Sequence, residues 1–287
     1  PLDPARRVRA RRSSATLLRY KPERRAVLRL DLRLTGDDAG ELPLTIAARA
    51  LPPTEASRVA RARAASVEPV RAGPDWIAPR LLHVEERTGI ILEEWVDSET
   101  LGERPFDHAH ATGAILARLH ALPTPAGMAP TSDAPSSLQA LLEIDERLWA
   151  KARELSALPA AQAVSWIHGD LHPDQIVRER ASGQMRLLDL DAIGIGDPAR
   201  DLATWIADHL AGDARVGFEA ARRPLLDGYR ESGGSAPADE VLARHVAFQL
   251  VSMAASAVRR LERSAVARAE SLLARAADVF PPRRVRA

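Results

Sequence analysis

Two short stretches concentrate the residues able to do chemistry. The first is Ser165-Trp-Ile-His-Gly-Asp-Leu-His-Pro-Asp-Gln-Ile-Val177. The second starts thirteen residues after Ile176, with Asp189-Leu-Asp-Ala-Ile-Gly-Ile-Gly-Asp-Pro-Ala-Arg-Asp-Leu-Ala203. In both, a short apolar run leads to an acid: Trp166-Ile167 leads to Asp170, and Leu187-Leu188 ends at Asp189. A buried strand that ends in Asp presents its carboxylate at the rim of a core. Two such carboxylates facing a common point are costly unless a cation sits between them or one is protonated. Mg²⁺ takes oxygen ligands, usually a few carboxylates with phosphates and water. Gln175 adds a neutral amide oxygen five residues past Asp170. His168 and His172 are possible zinc ligands by type, but they sit in one turn with no matching ligand pair, and the chain has no Cys.

These residues must be held by surrounding elements, and the hydrophobic pattern indicates which. Ala15–Tyr20 reads as a strand. Ala26–Leu34 alternates apolar and charged residues from Leu28 onward, as a half-buried strand should, and Leu44–Arg49 is a third candidate. Pro52 and Pro53 break the pattern, and Thr54–Ser66 reads as a helix with Thr54 as its N-cap. Residues 79–83 and 89–93 suit a further hairpin. From residue 97 helices dominate. One is expected from an Asp107 cap to about Leu122, with Ile115, Leu116 and Leu119 on one face. A long amphipathic helix is marked by Leu138, Leu141, Leu142, Leu148, Trp149 and Leu155, and three more helices fill 214–279. Asp197 before Pro198 is a helix-start signal, followed by a buried face of Leu202, Trp205 and Ile206, so Asp197 reads as structural. The chain is therefore β-rich first and α-rich second: an α+β protein of two lobes, 1–94 and 95–287. A cleft is expected between them, where ligands favour binding.

Composition narrows the classes. The 287 residues suit two lobes rather than one core. Forty basic residues, all Arg except Lys21 and Lys151, are balanced by 39 acids to a net charge of +1. A nucleic-acid protein usually shows a domain-wide basic excess, so no nucleic-acid partner is expected. The cluster Arg6, Arg7, Arg9, Arg11 and Arg12 reads as a solvated, partly disordered arm. The residues after about 281 read as a frayed tail. No apolar run approaches the roughly 20 residues of a membrane helix, so no membrane partner is expected. The lack of Cys fits a cytoplasmic protein. Nothing in the sequence fixes an oligomeric state.

His168-Gly-Asp-Leu-His-Pro-Asp-Gln175 resembles the H-G-D-L-x-P-x-N catalytic loop of the aminoglycoside phosphotransferase and choline kinase family, which is related to protein kinases. Leu187-Leu-Asp-Leu-Asp191 resembles that family's metal-binding I-D-F-D segment, and Gly196-Asp-Pro-Ala-Arg-Asp-Leu-Ala203 its G-D-P-x-x-D-L-A segment. The helix ending Leu116-Ala-Arg-Leu-His120 also fits. The likeness covers roughly residues 90–210, and three ordered segments within about 36 residues are a specific signal. The resemblance implies a protein kinase-like fold, with a small antiparallel β N-lobe carrying one helix and a larger, mostly α C-lobe.

It also implies the roles. Asp170 would orient the acceptor hydroxyl and take its proton. Asp189 and Gln175 would hold Mg²⁺ against the phosphates of ATP, or of GTP. Glu93, Glu94, Trp95 and Val96 would occupy the inter-lobe hinge, whose backbone would meet adenine. Asp191 is a metal ligand or a brace, the brace being favoured. Asp201 and His168 would brace the loop, and His120 would pack at its helix end. The expected activity is phosphoryl transfer to a hydroxyl of a small molecule. The acceptor site is expected after about residue 205, where Asp208, Asp213, Asp227 and Glu231 suit either an acid-lined pocket for a polycation or a solvated helix face.

Two departures stand out. Gln175 replaces the usual Asn, one methylene longer with the carbonyl kept. The phosphate-pairing lysine of the third strand is missing, and Arg49 is the nearest cation, with Glu55 or Glu68 as its partner. Arg, a fork rather than a point charge, does not simply replace Lys. No Gly-rich phosphate loop is evident, Lys21-Pro-Glu-Arg-Arg25 occupying the first turn. These departures suit an alternative reading, a degenerate kinase fold that binds nucleotide or a partner without transfer.

Overall fold

In the computed structural model the described residues are 6–22, 25–35, 40–68, 76–125, 141, 145–156, 163–260 and 264–281. They fall into two compact units. The first is Pro1–Thr100 with Val177–Ile193, and the second is Leu101–Ile176 with Gly194–Ala287.

The first unit is built on an antiparallel sheet of six strands. These are β1 (Arg7–Val8), β2 (Ser14–Lys21), β3 (Arg25–Thr35), β4 (Leu42–Ala50), β5 (Leu81–Glu85) and β6 (Ile90–Glu94). Their order is β1-β3-β4-β6-β5, with β2 also paired to β3. Ile46 and Ala48 of β4 and Ile91 of β6 are buried, and helix α1 (Pro53–Ala65) packs Ala56 and Val59 against Leu51 and Ile91. A smaller sheet joins β7 (Ser98–Thr100), β9 (Ile176–Glu179) and β10 (Met185–Leu187). Its inner side carries Arg186, buried, stacked 3.8 Å from the Trp76 ring centroid and ion-paired to Glu179 at 2.6 Å.

Two local expectations are corrected here. Thr54 does not cap α1: Pro52 is at the cap, with no side-chain capping bond, and Pro53 opens the helix. Proline lacks the N–H that a cap would satisfy, so the helix starts one residue earlier than expected. Nor is the N-terminal Arg cluster a free arm. Arg7 and Val8 pair with Thr35 and Leu34, and Arg12 meets Glu41 at 2.8 Å. Backbone pairing with the long β3 strand holds the segment, although its side chains face solvent.

The second unit is helical: α2 (Ala109–His120), α3 (Glu146–Leu155), α4 (Ala199–Gly212), α5 (Phe218–Glu231), α6 (Asp239–Arg259) and α7 (Ala265–Val279). A strand pair, β8 (Ser165–Ile167) with β11 (Gly194–Gly196), runs antiparallel, Ile167 opposite Gly194. Asp107 lies in a short 3-10 turn before α2, and no side chain caps that helix, so the expected cap is not made. Leu148 and Leu155 form the buried face of α3; the expected start of that helix at Leu138 and Leu142 lies outside the described residues, as does the tail beyond 281. Helix α6 is long and apolar enough to cross a membrane by composition, but 72% of its apolar window is buried, as in a core helix.

Helices α2 and α5 meet through glycine. A Cβ on Gly113 would lie 2.0 Å from the Leu225 carbonyl oxygen, and one on Gly228 would lie 1.9 Å from that of His110. This contact sets His120 beside Tyr229, as described below. Gly228→Ala is therefore expected to destabilise the unit by about 2–3 kcal/mol through overpacking. The helix-propensity gain of Ala over Gly, about 1 kcal/mol, is too small to offset it. Urea unfolding of the variant measures the loss.

Candidate active site

The loop after β8 is held from beneath by one buried acid. Asp201, in the first turn of α4, is fully buried. Its carboxylate accepts from the backbone N–H of His168 at 2.6 Å and of Gly169 at 2.9 Å, and meets His120 Nε2 at 3.1 Å. Burial pushes the Asp201 carboxyl up, but the His120 hydrogen bond, the His120 and His168 charges and the Gly169 N–H together hold it below the usual range. His120 is fixed in turn by Tyr229, whose hydroxyl lies 2.9 Å from Nδ1. Burial, then the charges of Asp201 and Asp197, push Tyr229 up to about 12. Gly169 adopts φ +83, which glycine tolerates, and its carbonyl accepts from Arg200 at 3.0 Å. Asp197 accepts from the backbone N–H of Ala199 at 2.9 Å, closing the start of α4.

Above this brace the loop carries Asp170, with its side chain 64% exposed. His172 stands beside it. Nε2 lies 3.3 Å from Asp170, and Nδ1 lies 2.8 Å from Asp208 on α4. The Asp170 contact first, then Asp208, raise the His172 pKa to about 10 against the opposing effect of burial. The ring is an imidazolium at neutral pH, bridging two carboxylates. Because the folded pKa lies above the ordinary 6.5, its contribution to stability is complete below about 6.5 and is lost as pH rises through about 10. His172→Gln is expected to flatten the stability profile across that window, and chemical denaturation at stepped pH measures it. The Gln175 amide oxygen accepts from the His172 N–H at 2.7 Å, and the Gln175 N–H returns to the His172 carbonyl at 3.0 Å. Gln175 thus closes the turn with the same oxygen expected to face the metal.

In the first unit, Asp189 leaves β10 with φ 58 and ψ 51, a left-handed conformation that only a few non-glycine residues, Asp among them, tolerate. A 3-10 turn, Leu190–Ala192, follows. Helix α1 fixes this turn, since Arg58 donates to the carbonyls of Asp191 and Ile193. Arg25, at the start of β3, reaches both Asp189 oxygens and lies 2.9 Å from Asp191 Oδ2. Arg49, on β4, reaches Asp191 Oδ1 at 2.5 Å and Asp189 Oδ1 at 3.5 Å. Its partner behind is Glu93 of β6, at 2.7 Å, and Glu93 also meets Arg63 of α1. The expected partners of Arg49 are thus corrected: Glu68 pairs with Arg63 at 3.0 Å, and Glu93 takes Arg49. Register is the reason, because Arg49 stands opposite Ile91 on the neighbouring strand, two residues from Glu93. Burial raises the Asp189 carboxyl, but the charges of Arg25 and Arg49 outweigh it and the group sits low. For Asp191, burial and the adjacent Asp189 charge outweigh Arg49 and the group sits high.

Sequence-predicted residues thus meet in two sets: Arg49 with Asp189 and Asp191 in the first unit, and Asp170, His168, Gln175 and Asp201 around one loop in the second. Glu94 ends β6, its N–H donating to the Arg80 carbonyl at 2.9 Å. Trp95 lies under Arg29, 4.9 Å from guanidinium to ring centroid, and Val96 is buried. Sequence reasoning missed Arg25, Glu93 and Arg63 as site-forming residues, and missed His172 as the partner of Asp170. Only Arg25 carried a signal, its place in the first turn where a Gly-rich phosphate loop is missing.

Among the described residues no group of three or more His, Cys, Asp or Glu gathers as a metal cage. The fit of Mg²⁺ rests instead on Asp189, whose two oxygens already meet a cation, the Arg25 guanidinium, beside the Asp191 brace. A carboxylate completed by phosphate oxygens, water and a neutral amide oxygen is a normal Mg²⁺ donor set.

An antiparallel β unit with one helix, a helical unit, and these two acid-bearing turns define a protein kinase-like phosphotransferase fold. The profile of the phosphotransferase enzyme family matches residues 5–243, and the chain belongs to that family, the class of small-molecule phosphotransferases. The fold is similar to that of a choline kinase from Cryptosporidium parvum (TM-score 0.63, 11% identity, covering 93% of this chain and 88% of that one). It is also similar to a macrolide 2'-phosphotransferase from Brachybacterium faecium (TM-score 0.57, 17% identity, 94% and 93%). A third likeness is to an amicoumacin kinase in complex with AMP-PNP and Ca²⁺ (TM-score 0.57, 12% identity, 93% and 89%). No curated protein matches the sequence.

Proposed function

We propose that this protein is an ATP-dependent, Mg²⁺-assisted kinase that transfers the γ-phosphoryl group to a hydroxyl of a small molecule, with Asp170 as the base. The observation that carries the reading is an exposed Asp170 carboxylate on a turn whose backbone is pinned by the buried Asp201. A rigid loop presenting an accessible carboxylate suits a reaction that depends mainly on positioning. In the step, the acceptor oxygen bonds to the γ-phosphorus, the bond from that phosphorus to the bridging oxygen of ADP breaks, and the acceptor proton passes to Asp170. Asp189 and Gln175 would hold Mg²⁺, which supplies charge neutralisation to the phosphates. Gln175 would do so with the second lone pair of an oxygen already accepting from His172. Arg49 would reach the phosphates, while the backbone at Glu94, Trp95 and Val96 would meet the base. His168 and Asp201 hold the loop, and Asp191 holds Arg49. The ATP assignment draws on the relative bound to AMP-PNP, and the reducing, Cys-free composition suits the cytoplasm.

The acceptor class is narrowed by charge. Asp208 is engaged with His172, Asp213 with Arg215, Asp227 with Arg223 and Arg230, and Glu231 with His110. Acids already engaged by basic side chains give little support to a polycationic aminoglycoside. Neutral polyols, amino alcohols such as choline and macrolides are the acceptors to try first. The test is phosphate transfer with Mg²⁺ across that panel, together with aminoglycosides and sugars. Transfer undiminished in Asp170→Asn would refute the reading.

One observation favours a second reading. Asp189 and Asp191 are neutralised by Arg25 and Arg49, as in a fold that binds without transferring. Nucleotide binding indifferent to Mg²⁺, with no turnover of any acceptor, is its signature in calorimetry.

A further inference from the structure

We infer that Arg25 is a resident counter-ion of the Asp189 and Asp191 carboxylates, displaced onto the nucleotide phosphates when the metal arrives, so that metal and nucleotide bind interdependently. The inference rests on the reading of Asp189 as a metal-holding residue.

One nitrogen of Arg25, Nη1, contacts both oxygens of Asp189 and one of Asp191. That is the position a cation shared by two carboxylates must take. The side chains are mostly enclosed, 13% exposed for Arg25, 16% for Asp189 and 20% for Asp191, so water does little to screen the two acids from each other. A cation between them, or a proton on one, relieves the repulsion, and the chain provides a cation from the end of a β-hairpin.

The three arginines around this cluster differ in how they are held. Arg63 is fully buried on α1 and tied to Glu93, Glu68 and the Pro79 carbonyl. Arg49 is 4% exposed and divided between Glu93 behind and Asp191 in front. Among the described residues, Arg25 has its side-chain contacts on Asp189 and Asp191 alone. Arg63 and Arg49 can leave only by stranding Glu93, a buried acid. Arg25 can leave by exchanging two carboxylates for two other oxygens.

Charge then dictates the order of events. Arg25, Arg49 and Arg63 stand among four acids, Asp189, Asp191, Glu93 and Glu68, so three guanidinium charges already offset most of the cluster's negative charge. A divalent cation entering alone adds two positive charges to a mostly enclosed cluster whose acids are already largely offset, and expels Arg25 without a partner. A triphosphate entering with it brings the compensating negative charge, and its oxygens accept the freed guanidinium, a good bidentate phosphate partner. Metal binding without nucleotide is therefore weak, and each ligand strengthens the other by the same factor. This adds a second cation to the one expected in place of the missing strand lysine: Arg49 is the fixed phosphate contact, and Arg25 the mobile one.

The experiment is titration of Mn²⁺, as a spectroscopic stand-in for Mg²⁺, into the full chain with and without a non-hydrolysable ATP analogue, followed by electron paramagnetic resonance. Arg25→Gln is expected to bind Mn²⁺ alone about tenfold more tightly than the unaltered protein, and to lose most of the mutual enhancement with nucleotide. A merely structural role would weaken metal binding, not strengthen it. Arg25→Lys retains a cation and is expected to stay near the unaltered affinity for Mn²⁺ alone. Arg25→Gln affinity for Mn²⁺ equal to or below that of the unaltered protein overturns the inference, and so does Arg25→Lys tightening as much as the Gln variant. Asp189→Asn separates the two levels. If it abolishes Mn²⁺ binding with nucleotide while Arg25→Gln fails to tighten, Arg25 is misassigned and the metal site stands. If it binds Mn²⁺ and nucleotide undiminished, the metal site itself is wrong.

Discussion

Asp170→Asn is expected to lower kcat by about a thousandfold while leaving nucleotide affinity nearly unchanged. A positioned base contributes on the order of 10²–10⁴ in rate, and Asn keeps the shape of the side chain without its ability to take a proton. The loop should survive the change, because it is pinned at His168 and Gly169 by Asp201 and closed by Gln175, none of which depends on the Asp170 carboxylate. Nucleotide affinity is assigned to other residues, Arg49 and Asp189 among them. The change also takes one acid from His172, whose raised pKa depends first on Asp170. Asp208→Asn serves as the control. It removes the other acid from the same imidazole and leaves the base in place, so its loss of rate should be much smaller. Steady-state kinetics on the two variants, with nucleotide affinity from calorimetry, separate the base from its surroundings. Equal losses in both would transfer the role from Asp170 to the Asp-His-Asp bridge as a whole.

The largest loss of stability is expected at Glu93. Its carboxylate is 7% exposed and stands between two buried guanidinium groups, Arg49 and Arg63. Removing one partner of a buried ionic network costs far more than the network's net worth, because the remaining charges stay buried without compensation. Glu93→Gln preserves volume and one acceptor oxygen but leaves two arginines facing a neutral amide. A loss of about 3–5 kcal/mol follows. It should appear as a lower urea midpoint with the slope of the transition unchanged. Glu68 can answer Arg63 only from its far side, where it already sits at 3.0 Å. A change within about 0.5 kcal/mol, the size of an ordinary surface substitution, would mean that the three residues do not hold the first unit together.

What could be read in advance follows the range of each interaction. The alternation Leu28 to Leu34 specifies a strand because a pleat repeats every two residues, and β3 spans it. The faces of α2 and α4 were legible for the same local reason, with Ile115, Leu116 and Leu119, and Leu202, Trp205 and Ile206, all buried. The closeness of Asp170 and Gln175 on one loop was legible because they lie within six residues of one another, whereas the His172 bridge to Asp208, 36 positions away, was not. Helix starts were less so. Asp107 and Thr54 have the right side chains for caps, but Pro53 and a preceding 3-10 turn settled where those helices begin. The charge network was out of reach. Arg25 meets Asp189 across 164 positions of sequence and Arg63 meets Glu93 across 30, and no local pattern encodes such pairings. Glu93 was read as part of a hinge, whereas strand register against β4 makes it the counter-ion of Arg49.

Phosphorus NMR of the unaltered protein with ATP, Mg²⁺ and the acceptor panel tests the central claim most directly. A phosphomonoester resonance should grow as the γ-phosphate signal of ATP declines, only when both Mg²⁺ and the right alcohol are present. Bound nucleotide whose three phosphate signals persist against every acceptor would contradict it, and would leave a protein that holds a nucleotide without passing its phosphate on.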